Sequence, residues 1–268
     1  MTPLPDLPAA RLVIDAIARW RDEGARLIGL CGAQGCGKST IAEGVRQTFT
    51  ERGLRVAVLS LDDLCLPPDK RPVSAHPLFA TRGVPGTHDV GLGVSVLDAL
   101  KGGEGVALPR FDKATDHPLP RHDWPRITAP DLILFEGWCV GARPQSESAI
   151  RTPVNALERD EDPDGVWRAY VNQQLAGPYA DLFTRMDRLI LLAAPGFEVV
   201  QGWRTQQEDA LRQRLQAESR DTSGLMQAAA LARFIAHYER LTQHILEDMP
   251  RYANLTIRFN SDRSVDQF

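Results

Sequence analysis

The nine residues Gly32-Ala33-Gln34-Gly35-Cys36-Gly37-Lys38-Ser39-Thr40 constrain this chain more than any other stretch. They satisfy G-x-x-x-x-G-K-[ST] at every fixed position and follow the apolar run Leu27 to Cys31 directly. Ser39 to Arg52 comes next, with Ile41, Val45 and Phe49 four residues apart on one helical face and Gly53 as its C-terminal cap. A strand, a glycine-rich turn and a helix in that order wrap backbone N–H groups around a polyphosphate, and the start of the helix adds its dipole. Glycine is required where the loop needs backbone angles that side chains disfavour. Gly32 through Thr40 are therefore the expected nucleotide-phosphate site. Lys38 is placed over the β and γ phosphates and the Ser39 hydroxyl on Mg²⁺, while Cys36 supplies only its amide.

Four further apolar runs of strand length recur with helical stretches between them: Val56 to Leu61, Leu132 to Phe135, Leu189 to Ala193 and Leu255 to Phe259. Such alternation predicts an α/β fold, a mostly parallel five-stranded sheet covered by helices on both faces. The N-terminal Leu12, Val13, Ile14 and Ile17 alternate with Arg11, Asp15 and Arg19, which reads as an amphipathic helix rather than a signal peptide. Two stretches, 67–89 and 109–130, lack periodic apolar residues and read as functional loops inserted into a single domain over 1–268. Long helices are expected over 197–218 and 222–247, separated by a turn at 219–223.

With 31 Lys plus Arg against 35 Asp plus Glu, the net charge of -4 provides no global field for nucleic acid or an anionic membrane. No apolar stretch is long enough to span a bilayer. Cys31, Cys36, Cys65 and Cys139 form no CxxC pair, which fits a reducing cytoplasm. Oligomeric state is not legible.

The phosphate loop alone leaves the chemistry open. A dinucleotide site is excluded because no G-x-G-x-x-G stands at this turn, and a GTPase is disfavoured by the lack of N-K-x-D. Instead Ser60-Leu61-Asp62-Asp63-Leu64 puts two carboxylates at the carboxyl end of a strand, where an open α/β sheet binds ligands. A carboxylate there can take a proton from an attacking alcohol and sit near Mg²⁺. Leu132-Ile133-Leu134-Phe135-Glu136-Gly137 ends an apolar strand in an acid, the Walker B arrangement, and makes Glu136 a candidate metal ligand beside Ser39 and Asp62. Asp160-x-Asp162-x-Asp164-Gly165 imitates a Ca²⁺ loop, but Pro163 lies inside it and Val171 stands where a bidentate Glu is needed, so a solvated acidic loop is expected.

Seven segments together resemble the D-glycerate 3-kinase family, a branch of the P-loop kinases that includes phosphoribulokinase, uridine kinase and pantothenate kinase. They are GAQGCGKST (32–40), SLDDL (60–64), HPLFATRGVPGTHD (76–89), RFDKA (110–114), FEGWCVG (135–141), PVNALE (153–158) and WRTQQE (203–208). RGVPGTHD and FEGWCVG are the most specific. Leu64 stands where relatives usually carry Phe, and Thr115 to Pro118 also departs from the family pattern.

The resemblance implies a P-loop NTPase fold of the kinase type with a helical lid over about 197–222, ATP and Mg²⁺ as cofactors, and phosphoryl transfer to an alcohol, most specifically D-glycerate to 3-phosphoglycerate. It implies Asp62 as the general base with Asp63 in reserve, and Lys38 and Arg204 as the other catalytic residues. Gln207, Glu208 and Leu211 share the face of Arg204. Arg82, His88, Asp89, Phe111 and Lys113 become the candidate acceptor-binding residues, with Arg82 and Lys113 as cations for a carboxylate. Two alternatives stay open: another small hydroxy acid, nucleoside or pantothenate-like alcohol as acceptor, or a regulatory or chaperone NTPase with no small acceptor.

Overall fold

A computed structural model of the chain describes residues 8–217 and 227–266. The helices are α1 Pro8–Asp22, α2 Lys38–Glu51, α3 Val90–Gly102, α4 Ala156–Glu161, α5 Val166–Ala176, α6 Pro178–Phe183, α7 Glu198–Ala217, α8 Ala228–Ala236 and α9 Glu239–Asp248. The strands are β1 Leu27–Gly32, β2 Val56–Ser60, β3 Gly105–Ala107, β4 Phe111–Asp112, β5 His117–Pro118, β6 Arg126–Thr128, β7 Leu132–Gly137, β8 Arg188–Ala193 and β9 Leu255–Arg258. β2, β7, β1, β8 and β9 form one sheet in that order, and every pairing in it is parallel.

The two faces of this sheet bury different side chains because strand residues alternate in direction. Leu27 and Cys31 of β1, with Ile133 and Phe135 of β7, join a core with Leu97 of α3, Tyr179 of α6 and Leu241 of α9. Ile28 and Leu30 of β1, with Leu132 and Leu134 of β7, pack against Val13 and Ile17 of α1 and Ile41, Val45 and Phe49 of α2. Both faces are covered, so the strands are continuous apolar runs rather than alternating ones. α2 ends as its sequence predicts: Gly53 takes φ +84°, its N–H bonds Thr50 O at 2.9 Å, and Leu54 N bonds Phe49 O at 3.0 Å, which caps the last carbonyls.

Three expectations need correction. The helix expected over 222–247 is broken: α8 and α9 are separated at His237 and Tyr238, where the hydrogen bonds shorten to His237 N to Phe234 O and Tyr238 N to Ile235 O. The tightened turn carries Tyr238 inward to a ring contact with Trp138 at 4.9 Å. Residues 218–226, with the predicted turn at 219–223 and the end of the lid, lie outside the described residues. The stretch 109–130 is built around short pairings, β4 with β5 and β6 with β3. Asp162, expected in a solvated loop, is buried; its carboxylate accepts from Trp167 N at 2.8 Å and Arg168 Nη1 at 2.9 Å, starting α5. Asp162 therefore caps a helix and anchors an arginine, and no calcium loop forms around it.

Beside it, Arg240 of α9 donates Nε to Glu158 Oε1 at 2.7 Å and Nη2 to Oε2 at 2.6 Å, both side chains buried. Truncating one member leaves a buried charge unpaired, so Glu158→Ala is expected to lower unfolding free energy by about 3–5 kcal/mol. Denaturant unfolding measures this, and a loss below about 1 kcal/mol would mean that water reaches the site.

Candidate active site

Parallel strands bring their carboxyl ends to one edge. Ser60 of β2 is paired with Glu136 of β7, and Leu30 of β1 lies opposite Glu136 on the other side. The phosphate loop leaves β1 at this edge. Gly37, a fixed glycine of the motif, adopts φ +91°, and Gly35, at one of its free positions, adopts φ +82°, so a Cβ would be strained at either. Gly32 closes β1, Ala33 and Cys36 are buried, and Lys38, Ser39 and Thr40 open α2. Cys36 N bonds Ala33 O at 3.3 Å, and burial pushes its thiol pKa up, which makes the sulfur unreactive. Burial opposes the charge on Lys38, but Cys36, Glu136 and Asp62 around it outweigh that, and its pKa lies above the ordinary lysine value.

Ser39 Oγ donates to Glu136 Oε1 at 3.3 Å, and Glu136 Oε2 is buried without a hydrogen-bond partner. An orphaned carboxylate oxygen beside a hydroxyl at the mouth of the phosphate loop fits Mg²⁺, which takes one or two protein oxygens and fills its other positions with water and phosphate. Among the described residues no group of three or more His, Cys, Asp or Glu could hold a metal ion.

After β2 the chain makes a tight turn, Leu61 to Leu64, in which Leu61 and Leu64 are three residues apart and both buried. Sinking these two forces Asp62 and Asp63 in different directions. Asp62 lines a cleft of about 310 Å³ together with Lys38, Ser39, Arg82, Lys113 and Arg204. Asp63 does not line it: its carboxylate accepts from Arg110 Nη1 at 3.2 Å and from Phe111 N at 3.1 Å, tying the turn to β4. Burial raises the pKa of Asp63 in spite of Arg110. Burial acts the same way on Asp62, but Lys113 and Lys38 overcome it and hold that carboxyl at about 2. Lys113 Nζ donates to Asp62 Oδ2 at 2.6 Å.

Arg82 and Gly83 form a wall of the cleft, and the segment they open, through Asp89, is stitched into place. Tyr238 donates to Arg82 O at 2.7 Å, Trp138 Nε1 to Gly83 O at 2.7 Å, Gly83 N to Thr87 Oγ1 at 2.8 Å and Gly86 N to the Tyr179 hydroxyl at 3.0 Å. Of its candidate residues only Arg82 reaches the cleft, with Nη1 on Asp116 Oδ1 at 2.7 Å. His88 is buried behind the wall, shares a 2.6 Å hydrogen bond with Tyr179 through Nδ1, and is pushed down by burial to a pKa of about 4, so it is neutral at pH 7. Asp89 is exposed and caps α3, accepting from Leu92 N at 2.9 Å. Phe111 is buried under the Arg82 guanidinium, 5.8 Å from its ring centroid. The structure thus brings Lys38, Ser39, Asp62, Arg82, Lys113 and Arg204 together and places Glu136 at the end of the neighbouring strand. His88, Asp89 and Phe111, expected beside the acceptor, are not among the residues that line this cleft. Asp89 is engaged as a helix cap, the Phe111 ring is buried beneath Arg82, and His88 is held through Nδ1 by Tyr179.

Sequence reasoning missed Asp116, Arg71 and Tyr238. Asp116 takes Arg71 Nη2 at 2.6 Å as well as Arg82, and Arg71 is buried with further bonds to Leu66 O and Ala80 O. The only available signal was the departure of residues 115–118 from the family pattern. On α7, Arg204 Nη2 pairs with Glu208 Oε2 at 3.1 Å and Nη1 reaches Gln207 Oε1 at 3.4 Å, so Gln207 and Glu208 share its face. Leu211 belongs to α7, but its side chain lies outside the described residues.

Comparison with known proteins places this geometry. A family model described as methylmalonyl Co-A mutase-associated GTPase MeaB matches residues 7–65, the stretch that carries the phosphate loop and Asp62. The chain is 29% identical over 255 residues to the Schizosaccharomyces pombe uncharacterised kinase mug58, covering 87% of each. It is 29% identical over 211 residues to the chloroplastic D-glycerate 3-kinase of Arabidopsis thaliana, which is 73% of this chain and 43% of that protein. The solved D-glycerate 3-kinase from Cryptococcus neoformans superposes with a TM-score of 0.77 at 21% identity, covering 97% of this chain and 96% of the other. The solved YGR205w protein does so at 0.72 and 22%, covering 97% and 95%. With a phosphate loop on a five-stranded parallel sheet and these relatives, the chain is a P-loop kinase that is similar to the D-glycerate 3-kinases.

Proposed function

We propose that this kinase transfers the γ-phosphoryl group of ATP to the 3-hydroxyl of D-glycerate, giving 3-phosphoglycerate. The observation that carries this reading is the makeup of one cleft: a carboxylate, Asp62, faces the phosphate-loop lysine, and two cations, Lys113 and Arg82, stand on the acceptor side. A small hydroxy acid needs both, a base for its alcohol and positive charge for its carboxylate. An acceptor carboxylate drawing Lys113 away from Asp62 would leave that base open to the hydroxyl. In this reading the amides from Gly32 to Thr40 and the Lys38 ammonium hold the β and γ phosphates. Ser39, Glu136 and Asp62 would hold Mg²⁺, which when bound would neutralise charge on the phosphate oxygens. Arg204 comes down on the transferring group, and α7 excludes water that would otherwise hydrolyse ATP. Among the described residues no helix is long and apolar enough to cross a membrane, and all four cysteines are free and buried.

The test is ADP release with ATP and Mg²⁺ across a panel of small alcohols and hydroxy acids, including D-glycerate, L-glycerate, glycerol, pantothenate and nucleosides. D-glycerate is expected to stimulate turnover well beyond glycerol, which has the hydroxyls without the charge. Stimulation by a different acceptor alone would overturn the glycerate assignment. Turnover indifferent to every alcohol would overturn acceptor phosphorylation as a whole and favour a regulatory NTPase.

A further inference from the structure

Three segments far apart in sequence meet outside the phosphate loop: Gly35 of the loop, the first turns of α7, and a tight turn after β9. Arg263, in that turn, donates Nε to Gly35 O at 2.7 Å, Nη1 to Gln206 Oε1 at 2.9 Å and Nη2 to Trp203 O at 3.4 Å. Its guanidinium lies 5.1 Å from the centroid of the Trp203 ring. Trp203 Nε1 returns a bond to Ser261 O at 2.7 Å. We propose that Arg263 is a positioning residue for phosphoryl transfer, locking the outer side of the phosphate loop to the base of α7 so that the loop and Arg204 are held in one fixed relation around the nucleotide. The proposal rests on the P-loop kinase fold and is independent of which acceptor is used.

The turn is built to present this side chain. Arg263 adopts φ +67°, a left-handed conformation that non-glycine residues rarely take and that surrounding structure must hold. The holding bonds are Arg263 N to Asn260 O and Asn260 N to Ser264 O, both 2.9 Å, together with Asp262 Oδ1 accepting from Ser264 N at 2.9 Å. On the other side Gly35 has no room: a Cβ there would stand 2.7 Å from Trp203 Cβ. Loop and helix are therefore already in backbone contact, and Arg263 bonds both sides of the seam. The peptide unit whose carbonyl it holds is trans, so the Cys36 amide of that unit points the opposite way, away from the arginine. Fixing the carbonyl fixes where that amide can aim. Arg204 directly follows Trp203, so the same clamp sets where the cleft arginine starts. Only a planar fork can reach three acceptors and lie over a ring at once, which makes lysine a poor substitute.

Arg263→Ala and Arg263→Lys in the full chain test this by ATP calorimetry, thermal midpoint without nucleotide, and a turnover cycle with Arg204→Ala using acceptor-independent ATP hydrolysis. Both variants are expected to weaken ATP binding roughly tenfold, equivalent to about 1.4 kcal/mol, while the nucleotide-free midpoint of Arg263→Lys stays within a few degrees. In the cycle, Arg263→Ala is expected to cost much less turnover when Arg204 is already alanine, as for residues acting through one another. ATP affinity within twofold of the parent in both variants would overturn the clamp. So would full rescue by lysine, or additive losses in the cycle. None of these readouts depends on D-glycerate, so failure of the substrate assignment leaves the test intact.

Discussion

Asp62→Asn is expected to lower kcat about 10³-fold, within the range for removal of a general base, with ATP affinity within about threefold of the parent and the fold intact. Asn keeps the shape of the side chain and removes the charge that can accept a proton. In the parent this carboxyl is held at about 2, Lys113 and Lys38 overcoming the effect of burial, so the proton-accepting form is present throughout the neutral and mildly acidic range. Asp63→Asn is the matched control. Because Asp63 is engaged by Arg110 and the Phe111 amide and does not line the cleft, its loss should reduce stability more than turnover. ADP-release kinetics with each variant at saturating ATP decide the matter: equal losses in both, or near-normal turnover in Asp62→Asn, would remove Asp62 from the chemistry.

Arg204→Ala is expected to lower kcat by about 10³-fold, the lower end of what an arginine contributes when it stabilises a transferring phosphoryl group. Acceptor KM should change little. The guanidinium lines the cleft beside Lys38 and is held on the helix face by Glu208 and Gln207, so its removal touches no core packing. Lysine should restore only a minor part, because a point charge lacks the fork. Steady-state kinetics and a thermal melt on the same preparation separate the two explanations for a loss, and turnover within tenfold of the parent would mean that α7 covers the site without acting on the phosphate.

Which features were legible in the chain follows from how local their causes are. The five strands of the sheet could be read because strands buried on both faces must be continuous apolar runs, and α2 because a four-residue apolar spacing and a terminal glycine are local signals. The phosphate loop could be read because its residue spacing is a local signal, with Gly35 and Gly37 at backbone angles that only glycine adopts easily. Residues whose position depends on a distant partner were read less well. Asp89, expected beside the acceptor, caps α3, and His88, expected there too, is hydrogen-bonded to Tyr179, ninety-one residues away. Asp162 looked solvated, but Arg168 and the first amides of α5 claim it. The helix expected over 222–247 breaks because Tyr238 is drawn in toward Trp138 and Arg82, a pull that helical periodicity cannot register.

By itself, then, the amino-acid sequence determined the α/β layering, the phosphate loop and the acids and arginine standing at element ends, since each follows from backbone angles, apolar periodicity or side-chain chemistry within a few residues. The tertiary structure alone decided strand order, the turning of Asp62 into the cleft and of Asp63 out of it, the pairing of Lys113 with Asp62, and the meeting of Arg263 with Gly35. These depend on contacts between segments dozens to hundreds of residues apart, where buried polar groups must find partners that the local chain does not contain.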